Sequence, residues 1–322
     1  MTLIARLAGA LVAAGLAAAA PTGACAQADL KITAPAAPGG GWDQTARSMQ
    51  QALMQSGLAR SVQVVNVTGA GGTIGLAQFI NGAKGDASQL LVNGLVMLGA
   101  ILTNKSPVQL EQATPLARLT SEYLAIVVPA NSPLKSVADL AEAVKADPAK
   151  VRWAGGSAGG VDHIAAGLFA KVAGGDPTKI NYIPFSRGGE ALAAVLGGRV
   201  TAGVSGYGEF EGQVKAGKLR LLAVTSPKRL EGVDAPTLKE AGLDLEIANW
   251  RSVFAAPGLT AEHRATLQAT VEKLVKSKEW AEVLKQKGWD DAYLPGDQFA
   301  TFLRAEQTRV RDILTVIGLV KS

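Results

Sequence analysis

Ser157 lies in Gly155-Gly-Ser-Ala-Gly159, the G-x-S-x-G spacing that presents a serine hydroxyl on a sharp turn between a strand and a helix. A serine used that way needs a base, and the chain has two histidines, His163 and His263. His263 falls in Thr260-Ala-Glu-His, the first turn of an amphipathic helix, whereas a triad base is normally held in a loop and oriented by a carboxylate. His163 follows Ser157 onto the adjoining helix and reads as a ligand-facing or capping residue. An exported ester hydrolase using Ser157, with Gly39 to Gly41 as an oxyanion loop, is therefore the alternative reading.

A different chemistry recurs along the chain. Thr33 to Arg47 reads as a short strand, a Pro/Gly loop and a helix starting near Asp43, with Trp42, Ala46, Met49 and Leu53 at helical spacing on its buried face. Gly39, Gly40 and Gly41 leave backbone N–H groups at the helix start uncovered, and such a start attracts anions. A plain tight turn capped by Asp43 is the simpler account of one such loop. The pattern returns at Thr68-Gly-Ala-Gly-Gly-Thr-Ile-Gly75, at Gly155 to Gly160, at Ser186-Arg-Gly-Gly-Glu190 and at Gly206-Tyr-Gly-Glu209, each time after an apolar strand-like run. Gly69, Gly71 and Gly72 belong to the second loop, where Thr73 stands in place of a glycine needed for a dinucleotide fingerprint. Gly212-Gln-Val-Lys-Ala-Gly-Lys218 begins like a P-loop, but Leu219 replaces the Mg²⁺-holding Ser/Thr.

The loop side chains suit binding better than turnover. Thr68, Thr73 and Ser157 are neutral donors, Tyr207 is an amphipathic wall residue, and Arg187 could clamp a carboxylate bidentately, unless it is a solvated rim charge. Arg251 is either a second cation or half of a structural ion pair. Asp43 reads first as a cap for its loop, and Glu209 should meet a ligand hydroxyl or Arg187.

Stepping strands and helices that place these loops give an α/β class with parallel strands, and ligands in such sheets bind beyond the carboxyl ends of the strands. Leu124 to Val128 reads as a strand leaving one domain, and Trp250 to Pro257 as one crossing back. Helices from Thr260 to about Ser277 and from Asp297 onward, the latter with Phe299, Phe302, Leu303 and Ile313, close the first lobe.

Composition narrows the classes. One positive charge and an apolar run through Ala20 precede Ala24-Cys-Ala26, so residues 1–26 are expected to be a signal peptide cleaved before Gln27, leaving a periplasmic protein. Cys25 is the only cysteine of the 322 residues, which excludes disulfides and thiol chemistry from the mature chain, and the two histidines make no convincing metal site. A formal charge of +5 is scattered, so no nucleic acid partner is expected.

As a set, Pro38-Gly-Gly-Gly-Trp-Asp43, Gly69-Ala-Gly-Gly-Thr-Ile-Gly75, Gly156-Ser-Ala-Gly159 before His163, Pro184-Phe-Ser-Arg-Gly-Gly189 and Pro236-Thr-Leu-Lys-Glu-Ala-Gly242 resemble the Bug-type, TctC-like receptors. These are the extracytoplasmic solute-binding proteins of tripartite tricarboxylate transporters. The resemblance implies a type II periplasmic-binding-protein fold, two lobes with a two-strand hinge, divided as 27–127, 128–249 and 250–322. It implies no catalysis, no cofactor, a monomer, and a small carboxylate passed to a large and a small membrane subunit. It also implies a ligand lined by Gly40, Gly41, Trp42, Gly71 and Gly72 on one lobe, and by Ser157, Gly159, His163, Arg187 and Gly188 on the other. Gly41-Trp42 and Ser186-Arg187 look like the branch that takes tricarboxylates such as citrate.

Overall fold

The computed structural model describes residues 28–185 and 188–321; the expected signal peptide, Ser186 and Arg187 lie outside the described residues. The chain opens with β1 (Ala28–Ala34), α1 (Gly41–Gln55), β2 (Ala59–Asn66), α2 (Thr73–Gly82), β3 (Gln89–Gly94) and α3 (Leu95–Thr103). Both β2 and β3 pair with β1 in parallel, so all three strands deliver their carboxyl ends, and the helix starts that follow, to one edge. The face predicted for α1 is the one that packs: Trp42, Ala46, Met49 and Leu53 are all buried. The β3–α3 unit carries no Pro/Gly loop to announce it, because the strand turns directly into the helix at Gly94.

β4 (Thr114–Pro129) is the longest strand, far longer than the stretch read from its apolar residues. Its first part, Thr114 to Tyr123, pairs with β9 (Ala248–Ala255), and part of the same stretch pairs on its other side with β10 (Asp290–Pro295). From Leu124 onward it changes partners to β7 (Ala202–Gly206) and β8 (Leu219–Val224). One strand thus belongs to two lobes. β9 in turn pairs antiparallel with β3, so it closes the first lobe's sheet in the order β2-β1-β3-β9-β4. The second lobe adds β5 (Arg152–Gly155) and β6 (Asn181–Pro184), parallel to each other and to β7, with α4 (Val137–Ala146), α5 (Val161–Val172), α6 (Gly188–Leu196) and α7 (Tyr207–Lys215). The parallel strands foreseen from sequence are those that feed the helices. The strands nearest the crossing, β4 and β9, are antiparallel to their neighbours.

Buried Thr225 clasps the crossing. Leu124 N–H donates to its Oγ1 at 2.9 Å, and that hydroxyl donates to Ile247 O at 2.7 Å. The C-terminal α8 (Ala261–Val275), α9 (Lys278–Lys287) and α10 (Gly296–Val316) cover the first lobe, with Phe299, Leu303, Val310 and Leu314 buried along α10. On α5 the packed face is wide, taking in Val161, Ile164, Ala165 and Phe169. Phe169 is fully buried edge-on to Trp153, whereas Leu168 and Val172 are half-buried.

The lobes touch opposite the crossing. A methyl group on Gly99 of α3 would lie 2.0 Å from the carbonyl oxygen of Gly159 in the loop before α5, so only glycine permits this approach. Gly99→Val is expected to part the lobes there while leaving each folded. Small-angle scattering should then give a larger radius of gyration with an unchanged circular-dichroism spectrum, and an unchanged radius would show that the contact does not set the separation.

Candidate functional site

Between the lobes lies a cleft of about 390 Å³, in the size range of small-molecule sites. Gly40, Gly41 and Trp42 line it from the start of α1, Gly69, Gly71 and Gly72 from the loop before α2, and Ser157 from the loop before α5. Other walls come from Glu122 of β4, Asn249 and Arg251 of β9, Asp162 of α5, and Ser205 and Glu209 around the start of α7.

Five of the helices around the cleft share one feature. α1, α2, α3, α5 and α7 all begin after a glycine, at Gly40, Gly72, Gly94, Gly160 and Gly206, and no side chain caps any of them. Away from the cleft, α4, α8 and α9 are capped by the side chains of Ser136, Thr260 and Ser277, each accepting a bond from an amide of the first turn. α10, which starts after Pro295, is the outlying helix without such a cap. A helix leaves its first amides without intrahelical acceptors. At the cleft those amides are left to whatever enters.

Each glycine loop is shaped from behind. Asp43 does not face the cleft; its carboxylate accepts from Gly39 N–H at 2.8 Å, from Asn66 Nδ2 at 2.8 Å and from Arg47 Nε at 3.0 Å. Burial opposes this charge, but the Arg47, Gly39 and Asn66 bonds prevail and hold its carboxyl below the usual range. In the second loop Gly69, Ala70, Gly71 and Gly72 run consecutively through positive φ (126°, 47°, 61° and 94°). Ala70 costs about 1–2 kcal/mol there, and its carbonyl is held by Thr73 Oγ1 and Asn104 Nδ2 at 3.0 and 2.8 Å. Thr73 is thus turned into its own loop. Gly72 also lies under the Trp42 ring, which a Cβ would meet at 2.5 Å.

In the second lobe, Gly156 N–H donates to Asp162 Oδ2 at 2.7 Å, Tyr182 Oη to Gly156 O at 2.8 Å, and Gly159 N–H to His163 Nδ1 at 3.2 Å. His163 stacks flat on Tyr182 at 4.0 Å, and burial pushes its imidazole down to about 4. Neutral and committed to Gly159, His163 holds the Ser157 loop in place and is not a base. No hydrogen bond joins Ser157 to either histidine among the described residues, and His263 lines a separate pocket with Asp29 and Thr266. Gly159 packs against Thr103 across the lobe contact, and Tyr207 packs on the core beneath α6 and α7; neither lines the cleft. Gly188 begins α6, next to the undescribed Arg187.

Arg251 is both things its sequence position allowed. It forms a buried ion pair with Glu122, stacks over Trp289 at 4.7 Å, and presents its guanidinium to the cleft, where a Cβ on Gly41 would come within 2.9 Å of Nη2. The guanidinium and the α1 start are both positive, and the Glu122 carboxylate offsets part of that charge from the other side. Among the described residues no group of His, Cys, Asp or Glu could hold a metal ion, and no helix is long and apolar enough to cross a membrane.

The profile of the tripartite tricarboxylate transporter family receptors matches residues 45–319. The chain belongs to this family. Protein BugT of Bordetella pertussis is 28% identical over 90% of this chain and 89% of its own. A TctC solute-binding protein from Polaromonas, solved without ligand, superposes with a TM-score of 0.68 at 28% identity, covering 89% of this chain and 98% of that one. MatC of Rhodopseudomonas palustris, solved with bound malate, gives a TM-score of 0.77 at 24% identity over 89% of this chain and 98% of that one. The receptor is thus a two-lobed solute-binding protein and not an enzyme, which removes the hydrolase reading of Ser157.

Sequence reading did not single out Glu122, Asp162, Ser205 or Asn249, because acids and amides at strand ends and in first turns carry no motif. Burial, with Glu209 and Glu122 nearby, pushes the Asp162 carboxyl up to about 7. The folded receptor therefore binds more protons at Asp162 than the unfolded chain between about pH 4 and 7, and this site makes stability fall as pH rises through that window. His163 acts oppositely between about 4 and 6.5, since its folded value is the lower one. The Asp162 share is isolated by difference: wild type should lose stability relative to Asp162→Asn as urea unfolding is moved from pH 4.5 to 7.5. A flat difference would show that the carboxyl is not held protonated.

Proposed function

We propose that the receptor is periplasmic, captures a small organic carboxylate between its lobes and delivers it to the membrane subunits of a tripartite transporter. The observation that carries this is the uncapped start of α1 with the Arg251 guanidinium packed beside it, both lining the cleft. A carboxylate lying there accepts amide bonds from the first turn of α1 and charge-assisted bonds from the guanidinium. The ligand touches both lobes and the crossing strands, so it favours the closed arrangement over the open one. Malate in MatC is a dicarboxylate of suitable size for this cleft. Glu122, Asp162 and Glu209 in the walls disfavour a highly charged anion, so a mono- or dicarboxylate suits the site better than the citrate trianion. Membrane delivery and the cleavage of residues 1–26 belong to the same proposal and are supported by family membership and by the apolar N-terminal run.

A thermal-shift screen of the mature chain against organic acids tests the reading. At a ligand concentration about 100 times Kd, binding adds about 2.7 kcal/mol, which for a chain this size raises the melting temperature by roughly 4 °C. No shift with any carboxylate would refute the proposal. Gly41→Ala crowds the guanidinium at a position whose backbone any residue adopts, so the fold should hold while affinity for the hit falls about tenfold, ~1.4 kcal/mol by calorimetry.

A further inference from the structure

The two sides of the cleft differ in charge. On the first lobe the starts of α1 and α2 and the Arg251 guanidinium make a positive wall. On the second lobe the protein's own acids stand beside the helix starts. Asp162 sits in the first turn of α5 with its carboxylate on Gly156 N–H. Glu122 lies under the start of α7, where a Cβ on Gly206 would meet its Oε2 at 2.8 Å. Glu209 occupies the first turn of α7 and accepts from Ser205 Oγ at 3.0 Å.

These acids outnumber the described cations facing them. Arg251 pairs with Glu122, and both it and Asn249 donate to the same oxygen, Oε1. Glu122 is 8% exposed, and its Oε2 accepts no hydrogen bond among the described residues; the same holds for Oε1 of Glu209. Neither Asp162 nor Glu209 forms an ion pair among the described residues; Arg251 favours the charged form of Glu209 from a distance, but burial outweighs it and pushes both carboxyls up, each further raised by Glu122. Tyr182, the remaining titratable group beside Asp162, stays neutral because burial raises it well above its ordinary value. The acids do not gather into a group that could hold a metal ion. Unpartnered carboxylate oxygens lining the cleft this way are placed to accept from a donor with positive charge.

We propose that the ligand is an aminocarboxylate, its carboxylate held by the α1 start and Arg251 and its protonated nitrogen held by Glu209, Glu122 and Asp162. This rests on the reading of the cleft as a carboxylate site and narrows the ligand class. The dipole of such a ligand matches the dipole of the cleft, and the same polarity fixes which end enters which lobe.

Calorimetry on the mature chain with matched pairs, L-aspartate against succinate, L-glutamate against glutarate and L-leucine against 4-methylpentanoate, tests it. In at least one pair the amino form should bind about tenfold or more tightly than its desamino partner. Glu209→Gln, which keeps the bond from Ser205 Oγ, should erase that preference by weakening the amino form alone. Binding of the amino form near pH 7 should also release protons, seen as a buffer-dependent enthalpy, as the acids ionise against the ammonium. Desamino acids binding as well as or better than their partners, with proton uptake, would overturn the proposal and make the acids donors to a second carboxylate. A preference that survives in both Glu209→Gln and Asp162→Asn would also overturn it, placing the nitrogen elsewhere, and Arg187→Ala then asks whether Arg187 neutralises these acids. If no acid of either kind binds, the carboxylate-receptor reading fails with it.

Discussion

A buried guanidinium organises this receptor. Arg251 stands on the strand that returns from the second lobe, pairs with Glu122 on the strand that leaves the first, stacks on Trp289 and faces the open start of α1. An ion pair taken out of water gains stability only when its geometry and remaining hydrogen bonds are good, and a lone charge left there costs several kcal/mol. Glu122, Asn249 and the Trp289 face meet that demand on one side. The side toward the cleft remains for a ligand. The same pair bridges the two strands that join the lobes, so the guanidinium that lines the cleft sits at the crossing.

The glycine-capped helices belong to the same arrangement. A serine or threonine in place of the glycine caps would bond one first-turn amide of α1, α2, α3, α5 and α7 and stabilise each helix by roughly a few tenths of a kcal/mol. Those caps are present on α4, α8 and α9, whose starts do not line the cleft. At the cleft their omission gives up local stability and leaves donors free, with rigidity supplied from behind by Asp43, Thr73, Asn104, His163 and Tyr182. The glycine loops at the cleft are thereby shaped by a second layer of side chains that does not line it.

The α/β units were legible because their signals are local. An apolar run, a small-residue loop and a helical face announce β1–α1, β2–α2, β5–α5, β6–α6 and β7–α7 within short windows. β3–α3 escaped because it has no loop to read, and β4 looked short because its first part pairs with β9 and β10 across long separations. The glycines of the first two loops, with Trp42 and Ser157, do line the cleft, while Asp43, Thr73, Gly159, His163 and Tyr207 stand outside it. A polar side chain next to a glycine loop can point into the site or back into the loop. Its sequence neighbours are the same in both cases.

The sequence by itself determined the receptor architecture and the family, because loop chemistry and helix periodicity act over a few residues and are written contiguously. Only the tertiary structure decided the electrostatics of the cleft. Glu122, Asp162, Glu209 and Arg251 come from four separate elements, and neither their pairing nor their burial exists until β4 and β9 bring the lobes together. Charge at a binding site depends on distance and dielectric, and both are set by packing.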